Sequence, residues 1–347
     1  MKRVRTIGAT VAVLGLAIAL AGCGTPAGAI LTPASDAPVW PAAPDPARIR
    51  YLGEFRTDQD LKPARGTFQA IGDSLFGDDT PTAMISPMAV CTDGASRVFV
   101  ADSGARVLHV FNLETRGYTT WNPGQTPFLC PVGVACDAAG RVFVSDSAQA
   151  CVFVFAPDGS PAGRLDGGAL KRPCGVAVSP DGRVFVVDVG AHQIVIFSPA
   201  GEAVGRFGER GADLGQFNYP TNIAFDHQGR LYVSDSLNFR VQVFSADLTP
   251  FRQIGSKGDL PGYFSQPKGV AVDADDHVYV VDANFEAVQL FDSQGGLLMS
   301  MGSEGQGPGQ FWLPAGIHID PKGRVWIADS YNRRVQVFQY LREGVGP

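Results

Sequence analysis

Six cysteines and five histidines are the residues of this 347-residue chain that most readily bind transition metals or act as nucleophiles and bases. No two cysteines form a C-x-x-C motif, so the sequence indicates neither a zinc ribbon nor covalently attached haem. The acidic run DADDH, at 273–277, lacks the ligand spacing of a calcium-binding loop. Any chemical site must therefore be assembled by the fold from residues that are distant in the sequence.

One segment of the sequence occurs six times. Each copy begins with Pro, has Asp fifteen residues later and ends with Phe nine residues after that. The six Asp residues are Asp102, Asp146, Asp188, Asp235, Asp282 and Asp329. The distance from each Phe to the next Pro varies from 18 to 23 residues. This pattern indicates a rigid unit joined by variable connections.

The sequence of each copy is typical of antiparallel β-strands. Short runs rich in Val, Ile and Phe are separated by turn motifs such as PDG and PKG. The second strand is apolar at nearly every position and carries one aromatic residue in every copy, from Phe99 to Trp326. Both of its faces must therefore be covered by other sheets. Six four-stranded sheets arranged radially meet this requirement, so we predict an all-β, six-bladed propeller.

The last copy ends shortly after its third strand. A segment with the character of the missing fourth strand, IRYLGEF, lies at 49–55, before the first copy. We predict that it pairs with 335–340 and closes the ring by completing the last blade.

The repeated segment YPTNIAFDHQGRLYVSDSLNFRVQVF, with GQF before the next Pro, resembles the NHL repeat over about residues 49–342. The resemblance implies a six-bladed propeller, a fold that carries unrelated activities. The terminal segments PDPARIRYLGEF and SYNRRVQVFQYL are similar to those of NHL lipoproteins from bacteria rich in multihaem cytochromes. That similarity implies an envelope protein whose partners include such cytochromes.

The N-terminus predicts export and a lipid anchor. Three basic residues precede an apolar run at 7–20 that is too short to span a membrane comfortably, as in a signal peptide. The run ends in LAGC, which resembles the bacterial lipobox, so residues 1–22 are predicted to be removed and Cys23 to be acylated. The alternative is ordinary secretion with a chance cysteine. Gly24, rather than Asp, is compatible with sorting to an outer membrane as well as retention at the cell membrane.

The predicted parts of the mature chain are a Pro- and Ala-rich tether at 23–48, a closing strand at 49–57, an inserted segment at 58–84, repeats from about 85 to 342, and a tail at 343–347. Within the insert, GTFQAIGDSLFG has apolar residues at helical spacing, which predicts a short amphipathic helix that covers a blade edge or docks a partner.

Loss of residues 1–22 removes three basic residues and changes the formal net charge from −6 to −9. An acidic exported protein is a poor ligand for nucleic acid, so we expect no nucleic-acid partner, and contact with the membrane through the lipid anchor alone.

His318 is the exception among the scattered histidines. Counted from the repeat Pro as zero, it lies at position 4 of the innermost strand, where four blades have Ala and the neighbouring blade has Cys91. A His–Cys pair could bind a metal or act as an activated nucleophile. The alternative is a core histidine beside a buried thiol, and no cofactor is predicted.

A second pair of interest is Cys130 and Cys174, at positions −1 and 1 of neighbouring blades. An oxidising compartment could join them in a disulfide, although free thiols are equally compatible with the sequence.

The loop after the repeated Asp differs in every blade and should share a face with the connections between blades. Aromatic and arginine residues there, without a converging acid–base set, favour recognition of a protein partner. The candidate binding residues are Arg106, His192, Phe239, Arg240, Glu286, Tyr331, Arg333 and Arg334, with Tyr219, Tyr263 and Trp312 from the connections.

Two functions follow from these observations. The first is a lipid-anchored scaffold that binds an envelope protein, which the resemblance places in a cytochrome electron-transfer assembly. The alternative is a lyase that resembles the peptidyl-hydroxyglycine amidating lyases or streptogramin lyases, whose histidine metal ligands have no match here. A stoichiometric divalent metal would favour the lyase, and none would favour the scaffold.

Overall fold

The computed structural model describes residues 30–62, 82–166 and 168–342. The predicted signal peptide, Cys23, the amphipathic helix at 66–77 and the C-terminal tail lie outside these residues. The described chain forms six antiparallel sheets, and two short 3-10 helices at Asp58–Leu61 and Ser236–Asn238. No helix in the described part is long and apolar enough to cross a membrane.

Two strands precede the repeats, β1 (Val39–Trp40) and β2 (Ile49–Phe55). The first three blades consist of β3 (Pro87–Thr92), β4 (Arg97–Asp102), β5 (Val107–Asn112), β6 (Tyr118–Trp121), β7 (Pro131–Cys136), β8 (Val142–Asp146), β9 (Cys151–Phe155), β10 (Pro161–Leu165), β11 (Pro173–Val178), β12 (Val184–Asp188), β13 (Gln193–Phe197) and β14 (Ala203–Phe207).

The last three blades consist of β15 (Pro220–Phe225), β16 (Leu231–Asp235), β17 (Arg240–Phe244), β18 (Pro250–Ile254), β19 (Pro267–Val272), β20 (Val278–Asp282), β21 (Ala287–Phe291), β22 (Leu297–Met301), β23 (Ile317–Ile319), β24 (Arg324–Asp329) and β25 (Arg334–Tyr340). The sixth blade has the strand order β1-β2-β25-β24-β23. The predicted six-bladed propeller is confirmed.

The ring is closed as predicted. Strand β2 pairs antiparallel with β25, from Ile49 opposite Tyr340 to Phe55 opposite Val335. The innermost strands contact one another around the circle, and β23 of the last blade contacts β3 of the first. The N-terminal strand thus completes the sixth blade, whose innermost strand contacts the first blade, and pairs with the last strand of the repeats.

The core lies between the blades. The aromatic residue of each second strand is almost completely buried, as Phe99, Tyr279 and Trp326 show. Five of the six innermost strands begin at the repeat Pro, which lacks an amide donor and is tolerated at the first residue of a strand. The sixth, β23, begins at Ile317, three residues after Pro314. Pro87, for example, lies opposite Asp102, and the register then shifts before Ala89. The repeat Pro therefore marks the first residue of the innermost strand in five blades.

Strand direction gives the propeller two faces. The face that we call the connection face carries the loops after the six repeated Asp residues and the connections between blades, at 82–86, 103–106, 122–130, 147–150, 166, 168–172, 189–192, 208–219, 236–239, 255–266, 283–286, 302–313 and 330–333. The turn face carries the hairpins between the first and second strands of the blades, at 93–96, 137–141, 179–183, 226–230, 273–277 and 320–323.

Candidate binding face

The six repeated Asp residues stabilise the backbone of the connection face through buried hydrogen bonds. All are completely buried. Asp102 accepts hydrogen bonds from the amides of Ile85 (2.7 Å) and Ser86 (2.9 Å), and from those of its own loop. Burial alone would raise the pKa of Asp102, but the hydrogen bonds from His109 and these amides outweigh it and keep that pKa below its ordinary value. These carboxylates are structural and tie each loop to the preceding connection.

The last residue of each of these loops has a left-handed backbone. The six residues are Arg106, Ala150, His192, Phe239, Glu286 and Arg333, with φ between 52° and 57°. A residue with a side chain is strained there by about 1 kcal/mol, whereas glycine adopts this conformation freely. Glycine occupies none of the six positions, and five of them carry candidate binding residues. The loops therefore present side chains at a cost in stability.

Large apolar side chains are exposed on the same face. Of thirteen in the described chain, nine lie on it and the other four on outermost strands. The nine are Ile85, Leu129, Leu214, Tyr219, Leu237, Leu260, Tyr263, Trp312 and Tyr331. The rings of Trp312 and Tyr331 are 5.5 Å apart, and His192 packs edge-on against Tyr219 at 4.9 Å. The Tyr219 amide also donates a hydrogen bond to His192 Nδ1 (3.2 Å).

Two candidate residues are buried, and the expectation that they face a partner is wrong. Arg240 donates to Asp235 (2.9 Å) and to loop carbonyls, with 6% of its surface exposed. Arg334 is 1% exposed and contacts Asp329 (2.7 Å) and Glu54 (2.6 Å). The signal for this role is the Asp five residues earlier, whose carboxylate meets the arginine across the loop. These two side chains hold the connections in place.

The GQF and GYF connections divide their aromatics between core and surface. Phe217, Phe264 and Phe311 are completely buried, whereas the aromatic residues beside them are exposed. A Cβ on Gly208, at φ 88°, would meet the Phe217 ring at 2.5 Å. Glycine is required there because the ring is packed against the backbone. The buried rings fix the connections, while Tyr219, Tyr263 and Trp312 remain available for contact.

The central channel has a volume of about 220 Å³ and is lined by the innermost strands. At the turn-face end of the channel, one pairing pattern recurs. The side chain at position 4 of each innermost strand, counted from the repeat Pro as zero, packs against the side chain at position 5 of the innermost strand in the next blade. Four of these pairs share an apolar cluster, and they are Ala135–Val178, Ala177–Phe225, Ala224–Val272 and Ala271–Ile319. The remaining two are polar. His318 Nε2 lies 3.1 Å from Thr92 Oγ1, and Cys91 Sγ lies 3.2 Å from Cys136 Sγ.

His318 and Cys91 are therefore not a pair. Because side chains alternate along a strand, Thr92 points towards the sixth blade and Cys91 towards the second. Burial lowers the pKa of His318 to about 4, so the ring is neutral at physiological pH. The expected pair joined like positions of neighbouring blades, whereas position 4 of one blade contacts position 5 of the next.

The Cys130–Cys174 disulfide is not formed in this structure, where both residues are free thiols. Cys130 lies in a connection, and its amide donates to Asp146 (3.1 Å). Cys174 lies inside β11, and its carbonyl accepts a hydrogen bond from the Ser145 hydroxyl. Burial raises the pKa of Cys174 to about 11, and the nearby Cys130 adds to this rise, whereas the thiols within hydrogen-bond distance of each other are those of Cys91 and Cys136.

The turn face is built from ion pairs. In four blades, an Asp pairs with the Arg four residues later, as in Asp93–Arg97 (2.7 Å) and Asp320–Arg324 (2.6 Å). The fifth blade replaces the Arg with His277, 3.0 Å from Asp273. A cavity of about 1060 Å³ opens beside the sixth blade, and its wall includes Arg48, Arg50, His318, Lys322, Tyr340 and Arg342. Within the described ranges, no three His, Cys, Asp or Glu residues are grouped as metal ligands.

Comparison with known proteins agrees with this architecture. The NHL repeat matches residues 170–197, 217–244, 264–287 and 311–338. The chain folds as a six-bladed β-propeller, and four of its segments match the NHL repeat. No curated protein matches the sequence.

Solved propellers share the fold at low sequence identity. Virginiamycin B lyase from Staphylococcus aureus is 15% identical, with a TM-score of 0.56, and the match covers 74% of this chain and 95% of that one. An auxiliary nutrient binding protein from Bacteroides thetaiotaomicron is 11% identical, with a TM-score of 0.61 and coverage of 76% and 71%. A gluconolactonase from Xanthomonas campestris is 17% identical, with a TM-score of 0.58 and coverage of 74% and 87%. These structures share the propeller fold and differ in function.

Proposed function

We propose that the protein is an exported, lipid-anchored binding propeller that recognises an envelope protein through its connection face. The observation that carries this proposal is the distribution of exposed apolar side chains. Nine of the thirteen in the described chain lie on the connection face. Trp312 and Tyr331 lie in contact with each other. Exposed apolar side chains concentrated on one face favour a binding role, and Trp and Tyr are among the residues that most often anchor protein interfaces.

The connection face is also pre-organised. Its backbone is held by six buried carboxylates and, in two blades, by the buried Arg240 and Arg334. Side chains that are already fixed lose less conformational entropy on binding, so a larger share of the contact energy contributes to affinity. The strained left-handed positions support the same function, because glycine would relieve their strain but offers no contact surface.

The chemistry of the face indicates the type of partner. Exposed cations stand among the apolar side chains, at Arg106, Lys171, Arg172 and Arg333. The Arg172 guanidinium lies over the Tyr219 ring at 5.8 Å. The same face also exposes the acidic residues Glu209, Asp213, Asp259 and Glu304. The combination suits a partner with an apolar patch bordered by charges of both signs. The resemblance to lipoproteins of cytochrome-rich bacteria makes a multihaem cytochrome the first partner to test.

The test is recovery of the partner from native membranes in mild detergent. We expect Trp312→Ala with Tyr331→Ala to lower recovery about tenfold or more at an unchanged melting temperature, because both side chains are exposed. The matched control is Phe251→Ala with Leu298→Ala, which removes similarly exposed side chains from outermost strands. Equal recovery from the two variants would contradict the proposal. A haem spectrum in the eluate tests the identity of the partner separately.

The anchor requires its own experiment, because Cys23 lies outside the described residues. We expect Cys23→Ser to abolish acylation and release the protein from the membrane fraction. Normal acylation and retention of this variant would contradict the lipoprotein assignment without affecting the binding face.

A lyase remains the competing function, and the metal content of the purified protein discriminates it. The five histidines have separate partners: His109 contacts Asp102, His192 contacts Tyr219, His227 contacts Asp276, His277 contacts Asp273, and His318 contacts Thr92. A stoichiometric divalent ion that is lost with His318→Ala would favour a lyase with its site at the channel.

A further inference from the structure

The Cys91–Cys136 contact replaces an apolar pair. In four of the six interfaces between blades, an Ala at position 4 packs with a Val, Phe or Ile at position 5 of the next blade. The interface between the first and second blades has cysteine at both positions, with the two sulfurs 3.2 Å apart. Both residues are free thiols in this structure. Packing alone does not require sulfur here, because the four apolar interfaces are filled by Ala with Val, Phe or Ile.

The two thiols differ in their access to solvent. Cys91 is 3% exposed and lies in the cluster between the first two blades. Cys136 is half-buried and borders both the central channel and the turn-face cavity of about 1060 Å³. A small oxidant that enters this cavity therefore reaches Cys136, and Cys91 lies directly behind it.

We propose that Cys91 and Cys136 form a redox-controlled disulfide that joins the first blade to the second at the turn-face end of the channel. The sulfurs need to approach by about 1 Å to reach the disulfide bond length of about 2.04 Å. The two residues lie near the ends of adjacent innermost strands, so this movement is local.

The reaction is thiol–disulfide exchange with a low-molecular-weight disulfide of the glutathione type. The Cys136 thiolate attacks one sulfur of the oxidant, forms a mixed disulfide and releases one thiol. The Cys91 thiolate then attacks Cys136 Sγ, and the second thiol leaves. Two protein thiols are oxidised and one small disulfide is reduced to two thiols. Burial and the neighbouring Cys136 raise the pKa of Cys91 well above its ordinary value, which favours Cys136 as the first nucleophile.

The consequence is a cross-link within the ring. Closing the loop from 91 to 136 restricts the unfolded chain, and the stabilisation expected for a loop of this length corresponds to a rise in melting temperature of about 5 °C for a domain of this size. The bond also fixes two of the six strands around the channel mouth.

The test compares purified protein equilibrated with oxidised glutathione and with a reductant. After alkylation of the remaining thiols, we expect a Cys91–Cys136 linked peptide, two fewer alkylated cysteines and a melting temperature about 5 °C higher in the oxidised sample. Cys130 and Cys136 share the tryptic peptide 117–141, so the mapping is done in a Cys130→Ala background.

The matched control is Cys91→Ala with Cys136→Val, which gives this interface the pair found between the second and third blades. It should fold normally and show no redox-dependent change in melting temperature. Three results would overturn the inference: a persistent glutathione adduct on Cys136, a linkage between other cysteines, or a redox-dependent shift that survives in the control variant.

Discussion

The connection face and the turn face are built from the same repeat but differ in what they expose. On the turn face, each blade pairs an acidic side chain with a cation of its own hairpin, and in four blades the Arg also lies over the aromatic ring of the second strand, as Arg324 does over Trp326 at 5.0 Å. On the connection face, the six repeated Asp carboxylates point inward, and tyrosine, tryptophan and leucine side chains remain exposed.

The difference distinguishes the residues that form the scaffold from the residues that form the proposed recognition surface. Residues that recur in all six copies, such as the buried Asp and the aromatic of the second strand, satisfy backbone or packing requirements that every blade shares. Residues that vary from blade to blade lie mainly in the loops and connections of one face. Repetition within the chain marks what folds it, and variation marks where a partner can be distinguished.

The largest effect should follow from removing the strand on which both faces depend. A chain that begins at residue 58 lacks β2, leaves the edge of β25 unpaired and loses the Glu54–Arg334 ion pair. We expect it to aggregate or to melt far below the full chain in calorimetry. A chain that begins at residue 45 keeps β2 and should remain folded. Unchanged stability of the shorter chain would show that closure by β2 is unnecessary.

The next largest effect tests the buried carboxylates of the connection face. Asp329→Ala leaves the buried Arg334 without its fully buried ion-pair partner and removes an acceptor from the Trp312 amide (2.8 Å). We expect a loss of about 3–5 kcal/mol in the free energy of unfolding, measured with denaturant. Asp181→Ala on the turn face should cost less than about 1 kcal/mol, because that side chain is 56% exposed. Similar losses from both variants would contradict the distinction between the faces.

Most of the architecture could be predicted from the sequence. The repeat length, the turn motifs and the unmatched IRYLGEF segment predicted six blades and the closing register, because strand pairing depends on periodicity and on edges that must be covered. The recurrence of Asp at one position of all six copies favours a structural role by the same argument. The identity of the blades followed from local patterns alone.

The candidate site was predicted less completely, because exposure depends on the path of each loop. Arg240 and Arg334 follow loops, as exposed arginines often do, yet both reach back to a buried Asp. The neighbour of Cys91 depended on a one-residue offset between blades that no single repeat contains. Six left-handed residues could not be foreseen either, because side chains other than glycine rarely adopt that conformation.

A smaller effect distinguishes the fifth hairpin of the turn face by pH. The hydrogen bond that the His277 ring donates to Asp273 raises the pKa of His277, so this ion pair stabilises the fold below about pH 6.5 and is lost as pH rises through the folded-state value. Burial would raise the pKa of Asp273, but hydrogen bonds from His277 outweigh it and lower that pKa, so the contribution is also lost in acid. We expect this ion pair to contribute most to the stability of the fold between pH 4 and 6.5, by under about 1 kcal/mol, as measured by thermal unfolding at a series of pH values.

The matched variant is His277→Arg, which installs the cation that most other hairpins carry. It should keep its stability between pH 6 and 8, where the wild type loses the contribution of His277. The same pH dependence in both proteins would show that another group is responsible.

The smallest expected effect on stability is an increase rather than a loss, and it separates the stability of the connection face from its role in binding. Arg106 and Arg333 are exposed, and their φ values are 57° and 55°. Changing both to glycine relieves backbone strain, so the melting temperature should stay the same or rise, by an amount equivalent to at most about 1 kcal/mol per site. If the side chains are there for a partner, recovery from native membranes should fall in the same variant. Gly140→Ala on the turn face is the converse control, since it places a side chain at φ 80° and should lower stability without changing recovery. Full recovery by the arginine variant would mean that the left-handed positions serve the loop alone, and the binding surface would then reduce to the exposed apolar side chains.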